Sequence, residues 1–261
     1  MSKDDLGDRM KAYERRETDH RLFQTLPIYA RIDGKGFSKF TKGMDRPFDQ
    51  RLTDAMIAVA KHLMRETGAR FAYTQSDEIS LVWKAEDHTS SVMFEGKVQK
   101  LTSVLASMAA AKMAQAIRGW APFEDRLPAF DARVLQLPHD HEAANMILWR
   151  ALDAQRNAVS MACRSVASHK EMQRKTRDQM LDLIAERGVD FDAYPASFRQ
   201  GTYLRWGAMP RAGNPSVMSR AVMVVDDMPP LHRVANRTEF VMGGALPILK
   251  SRDVYLDGEA A

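Results

Sequence analysis

A chain of 261 residues, 45% hydrophobic and 28% charged, can bury a full core without disulfide or structural-metal support. The single cysteine, Cys163, excludes an internal disulfide and a Cys-rich zinc site, and no apolar run reaches membrane-spanning length. The charged opening stretch, residues 1–19, carries no apolar segment of the secretory kind, so a cytoplasmic protein with no membrane partner is expected, and the net charge of +4 permits a nucleic-acid partner without requiring one.

Residues 27–32 read as a strand that ends at Asp33 and Gly34, because apolar residues alternate until a glycine breaks the pattern. A helix follows over 48–66, with Asp49 as N-cap, Leu52, Met56, Val59, Ala60 and Leu63 on one face, and Gly68 as the stop. Two β-rich runs, 71–75 and 79–83, flank the hairpin loop Ser76-Asp77-Glu78. Residues 98–117 have helical period, with Met108 and Met113 expected in the core, and 131–137 read as a strand before Pro138. Helices are predicted over 141–161 and 169–186, and added strands over 201–206 and 221–225, while no structure is assigned beyond Pro229. His139, Asp140 and His141 read as a surface loop, since no third ligand stands at helical spacing, and Trp149 and Cys163 read as packing residues.

The order strand, helix, strand, strand, helix, strand is that of the α+β, ferredoxin-like (βαββαβ) arrangement. One domain over 1–261 is predicted, with its core at about 22–138 and a helical, short-stranded C-terminal region at about 139–261. In that arrangement the first and third strands are antiparallel neighbours, which brings Asp33 beside Asp77 and Glu78. Converging carboxylates are hard oxygen donors suited to Mg²⁺, and two such ions can stabilise the attacking and leaving oxygens of a phosphoryl transfer. Gly34 and Gly36 let the backbone N–H groups of 33–38 turn toward an anion, and Lys35 and Lys39 add positive charge. Alone, Asp-Gly is a common turn and Ser-Asp-Glu a common solvated hairpin tip. Their convergence at one sheet edge is what makes a candidate site. Farther on, Arg164, His169, Lys170, Arg174, Lys175 and Arg177 form a basic cluster on one predicted helix and its approach, either a solvated face paired with Glu171 and Asp178 or a phosphate-contact surface.

The runs Arg31-Ile32-Asp33-Gly34-Lys35-Gly36-Phe37-Ser38-Lys39-Phe40 and Tyr73-Thr74-Gln75-Ser76-Asp77-Glu78-Ile79-Ser80 resemble the two signature segments of the tRNA(His) guanylyltransferase family and its Thg1-like relatives. Phe130-Asp131-Ala132-Arg133-Val134 is similar to a third segment. Trp149-Arg150 with Asp153 and Asn157, then Phe198-Arg199-Gln200-Gly201-Thr202, resemble further landmarks in the same order, so the similarity spans roughly residues 27–206. The resemblance implies a polymerase-type palm that adds nucleotides in the 3′-to-5′ direction to the 5′ end of tRNA, with ATP and GTP as substrates. It implies that Asp33 and Asp77 hold two Mg²⁺ ions with the Gly34 carbonyl on one of them, and that Glu78 supports the site. The backbone of Gly34, Lys35, Gly36, Phe37 and Ser38, with Ser76, would bind triphosphate. Arg46-Pro47 stands where the family has Lys-Pro and keeps a charge for phosphate. Assembly as a tetramer or dimer is also implied, and Asn157, Arg174 and Lys175 are candidate tRNA contacts. Where the family has His-Ile-Asn-Asn, this chain has Gln155-Arg156-Asn157-Ala158. The missing His leaves templated repair of tRNA 5′ ends as an alternative to tRNA(His) guanylation. Another palm enzyme, such as a nucleotidyl cyclase, and a catalytically silent RNA-binding protein are the competing readings.

Overall fold

The computed structural model describes residues 5–211 and 213–250. The charged opening stretch forms a helix, α1 (Asp5–Thr18), which buries no residue and follows its own dipole, with Asp5 and Asp8 in the first turn and Arg15 and Arg16 in the last. Strand β1 (Ile28–Gly34) leads through a single turn, α2 (Phe37–Phe40), to α3 (Gln50–Thr67). Asp49 caps α3 by accepting from the Arg51 N–H, and Gly68 closes it in the left-handed conformation. Strands β2 (Phe71–Gln75) and β3 (Glu78–Trp83) form the hairpin, with a two-residue loop instead of the expected three because Glu78 already pairs with Asp33 across the sheet. Then come α4 (Val98–Ala116) and β4 (Phe130–Gln136).

The C-terminal region differs more from expectation. Helix α5 (Asp140–Val166) has 27 residues and begins where a loop was predicted, with His139 at its N-cap and Asp140 held by the Lys84 ammonium at 2.8 Å. The single helix predicted over 169–186 is two, α6 (His169–Met172) and α7 (Arg177–Glu186), each opened by a capping box, Ser168 with Glu171 and Thr176 with Gln179. Between them Arg174 takes φ 63°, so Arg174 and Lys175 lie in a link and not on a helix face. After α8 (Ala196–Gln200), the two short strands are parts of a long hairpin, β5 (Thr202–Arg211) and β6 (Asn214–Val224). Its outer half is exposed, so no apolar alternation marked it in the sequence. Helix α9 (Arg237–Gly243) lies in the stretch left unassigned and buries Phe240, Val241 and Met242.

The six strands form one antiparallel sheet in the order β4-β1-β3-β2-β5-β6, so the first and third strands are neighbours as the topology required. Alternation divides the side chains between two faces. Ile28, Ala30, Ile32, Ile79 and Leu81 pack with α3 and α4, and burying each Ile or Leu fully is worth about 1.5–3 kcal/mol. Tyr29, Tyr73, Val82 and Tyr203 pack on the other face against Ile147 and Ala151 of α5 and Phe240 of α9. Cys163 is buried with Ile184 in a smaller cluster between α5 and α7, the packing role expected of it. Among the described residues no helix is long and apolar enough to cross a membrane.

Candidate active site

The register that puts Tyr29 on the α5 side of the sheet puts Arg31 and Asp33 there too, at two-residue steps. Glu78 faces Asp33 from β3 and Asp131 faces it from β4, so three carboxylates share one row at the sheet's end. The Gly34 N–H donates to the carbonyl of Asp77 at 3.0 Å, which joins the end of β1 to the hairpin turn, and the Lys35 N–H donates to Ala129 at 2.8 Å. A Cβ on Gly34 would lie 2.3 Å from the Phe37 ring, so only glycine lets that ring fold under the turn and pack on Phe40 and Phe130. Gly36 takes φ 68° and opens α2, whose first amides have no acceptor within the helix.

Burial raises the Asp33 carboxyl above the usual carboxylate range, and the charge of Asp131 raises it further. Asp77 is raised likewise, first by burial and then by Asp33. Two desolvated carboxylates side by side favour a cation between them. Glu78 is already matched: Arg150 donates to both of its oxygens at 2.7 Å, a bidentate pair that opposes the upward push of burial. Arg150 also donates to Asp153 at 3.0 Å, and Arg31 stands 4.0 Å from Glu78. Asp33 and Asp77, with the Gly34 carbonyl, therefore remain as candidate metal donors. Among the described residues no three His, Cys, Asp or Glu side chains converge on one metal position. Two carboxylates and a carbonyl suit Mg²⁺, which keeps waters and substrate phosphates in its other positions.

Two recesses meet at the Ser76-Asp77 turn. One, of about 330 Å³, is walled by Met44, Phe48, Leu52, Met56 and Phe198 and edged by Ser38, Arg46 and Asn157. Phe48 and Phe198 stack at 5.0 Å between ring centres, so the walls are flat and apolar. The second, of about 380 Å³, lies against the sheet's end between Asp33, Asp77 and Glu78 on one side and Asn157, Ser160 and Arg164 of α5 on the other. Of the site and RNA-contact candidates read from the sequence, Phe37, Ser38, Arg46, Ser76, Asp77 and Asn157 line the first recess, and Asp33, Ser76, Asp77, Glu78 and Asn157 the second, together with Arg31, Arg150 and, from the basic cluster, Arg164. Gly34, Lys35 and Gly36 line neither, although Gly34 is bonded to the Asp77 backbone, and Arg174 and Lys175 also line neither.

Three residues that the sequence places in family-like segments, with no role of their own, have partners at the site. Asp131 reads there as the first residue of a strand in the third such segment, and cross-strand register sets it opposite Asp33. Arg150 is 72 residues from Glu78, so nothing local announces their pairing. Trp149, expected in the core, is 48% exposed: it is one helical step from buried Arg150, on the rim of α5, with the guanidinium groups of Arg150 and Arg31 at 4.6 and 5.9 Å from its ring centre.

A family model described as tRNAHis guanylyltransferase (Thg1) matches residues 7–138. The tRNA(His) guanylyltransferase of Schizosaccharomyces pombe is 35% identical over 155 residues, covering 57% of this chain and 56% of that protein. A bacterial tRNA(His) guanylyltransferase (Thg1)-like protein, solved in complex with ATP, is similar with a TM-score of 0.79 and 32% identity over 90% of this chain and 96% of that one. One solved with GTP gives 0.77 and 30%, over 92% and 100%.

Proposed function

The chain belongs to the tRNA(His) guanylyltransferase (Thg1) family, and we propose that it is a nucleotidyltransferase that extends the 5′ end of tRNA in the 3′-to-5′ direction, on a polymerase-type palm core within a single domain. The observation that carries this reading is the Gly34-to-Asp77 hydrogen bond, which fixes two desolvated carboxylates beside two substrate-sized recesses that share one turn. The apolar recess suits a nucleobase, with phosphates running along the amides of residues 36–38 toward Ser38, Arg46 and Ser76, since the Gly34 and Lys35 amides already donate to Asp77 and Ala129. The carboxylate recess suits the RNA end. Mg²⁺ bound by Asp33 and Asp77 would neutralise charge developing on the transferring phosphate. In the first step an oxygen of the RNA 5′-phosphate attacks the α-phosphorus of ATP, forming a phosphoanhydride as pyrophosphate leaves. In the second, the 3′-hydroxyl of GTP attacks the activated 5′-phosphorus, its proton passes to solvent, and AMP leaves with the bonding electron pair. Glu78, Arg150 and Asp153 brace the sheet against α5, and the chain works as a homo-oligomer.

Coordination requires ionised carboxylates, and Asp33 and Asp77 are both raised by burial. The Mg²⁺ concentration needed for half-maximal activity is therefore expected to rise as pH falls from neutral into the mildly acid range, above where an exposed Asp would titrate. A Mg²⁺ requirement constant across that range counts against these two ligands.

Gln155 in place of the family's His favours a second reading, templated 5′-end repair without tRNA(His) selection. Offering tRNA(His) and a 5′-truncated tRNA of another identity, each with ATP, GTP and Mg²⁺, and mapping the added nucleotides tests both. Extension of the truncated RNA alone supports repair, and a single G on tRNA(His) supports guanylation. No addition to either RNA, or a cyclic product from GTP alone, overturns the proposal.

A further inference from the structure

The carboxylate recess contains three guanidinium groups, and two are engaged. Arg150 is spread over Glu78 and Asp153, and Arg31 lies between Glu78 and the Trp149 ring. Arg164, in the last turn of α5, lines the same recess with its side chain exposed, and among the described residues no carboxylate lies within ion-pair distance of it. A cation at a helix C-terminus is favoured there by the dipole, so Arg164 can stand unpaired at little cost. Asn157, Ser160 and Arg164 follow one another on a single stripe of α5, at steps of three and four residues, facing Asp33 and Asp77 across the recess.

The recess is thus unbalanced in a directional way. At the sheet end Asp33 and Asp77 have no ion-pair partner within reach among the described residues and call for cations, and at the α5 end one guanidinium calls for an anion. A phosphoryl group that meets metal on one side and Arg164 on the other satisfies both. The nucleoside triphosphate has its own recess, walled by Phe48 and Phe198, which Arg164 does not line. The anion at Arg164 then belongs to the RNA end, to which the carboxylate recess is assigned, and the incoming GTP is the competing occupant that the test separates. Resting on the proposed function, we propose that Arg164 holds the 5′-terminal phosphate of the RNA and so makes the enzyme select RNA that carries one. A planar guanidinium presents two parallel donors to a phosphate, which an ammonium does not.

The test compares full-length wild type, Arg164→Ala and Arg164→Lys on whichever of tRNA(His) and the truncated tRNA the wild type extends, prepared with a 5′-phosphate or a 5′-hydroxyl, by binding anisotropy in Mg²⁺ and by nucleotide addition. Wild type is expected to bind the phosphorylated RNA more tightly. Arg164→Ala should lose that preference, raise KM for the phosphorylated RNA about tenfold or more, and leave KM for ATP unchanged, with Arg164→Lys between. The side chain is exposed, so both variants should unfold at the wild-type temperature. An active wild type with an Arg164→Ala profile like its own overturns the assignment, as does a KM rise for ATP or for GTP equal to that for RNA, which would place a nucleotide phosphate at Arg164. A wild type that extends neither RNA overturns the proposed function itself.

Discussion

Replacing Asp77 with Ala should abolish nucleotide addition while the protein stays folded. Asp77 is in the turn where both recesses meet, its carboxylate is one of two left without a cation, and its backbone carbonyl receives the Gly34 amide. Truncation removes the carboxylate and leaves that backbone bond in place. Loss of one ligand from a two-carboxylate metal platform is worth several kcal/mol of transition-state stabilisation, so a fall in rate on the order of a thousandfold or more is expected. Stability should move the other way. A carboxyl raised by burial opposes folding when ionised, so the metal-free wild type gains stability as pH falls toward the raised pKa, and Asp77→Ala should gain less. At neutral pH the metal-free variant should therefore melt at or above the wild-type temperature. An addition assay with thermal unfolding checks both parts, and retained addition by the variant removes Asp77 from the chemistry.

Replacing Arg150 with Met should have the largest effect on stability. The guanidinium and the Glu78 carboxylate are both buried, and removing Arg150 leaves Glu78 with only the more distant Arg31, at 4.0 Å, as counter-ion, a loss of about 3–5 kcal/mol. The orphaned Glu78 can escape only by taking a proton, so the variant should be hurt most at high pH and recover as pH falls. Pairing the change with Glu78→Gln should restore much of the loss, because the buried carboxylate charge is then gone and Asp153 keeps Arg156 at 3.2 Å. Denaturant unfolding of the two single variants and the double variant measures the coupling. A loss under about 1 kcal/mol in Arg150→Met would mean the pair is not the brace between sheet and helix that its geometry suggests.

Much of this architecture was legible because its signals are local. The alternation over residues 27–32, the Asp49 cap, the apolar face from Leu52 to Leu63 and the Gly68 stop each depend on neighbours a few residues away, and the structure realises all of them. Strand order then brought Asp33 beside the Ser76-Asp77 turn, an inference from topology that the sheet satisfies. What was not legible depends on distant partners. Helix spacing alone accounts for Trp149 as a core residue, but the stripe it occupies faces the rim. Asp131 gains meaning only from its place opposite Asp33. The break between α6 and α7 was a missed local signal: Ser168 with Glu171 and Thr176 with Gln179 both have capping-box spacing, and the charge run across them was taken for one helix face.

The backbone bond from Gly34 to Asp77 divides the labour of the site between two walls. Groups fixed by the sheet are ordered before anything binds, so little conformational entropy is lost there on metal or nucleotide capture. Helix α5 forms the opposite wall with side chains alone, and nothing in the sheet's hydrogen bonding depends on which residues stand at 157, 160 and 164. Under the proposed function, a lineage could exchange one RNA for another by rewriting a single helical stripe, with the phosphoryl chemistry inherited intact.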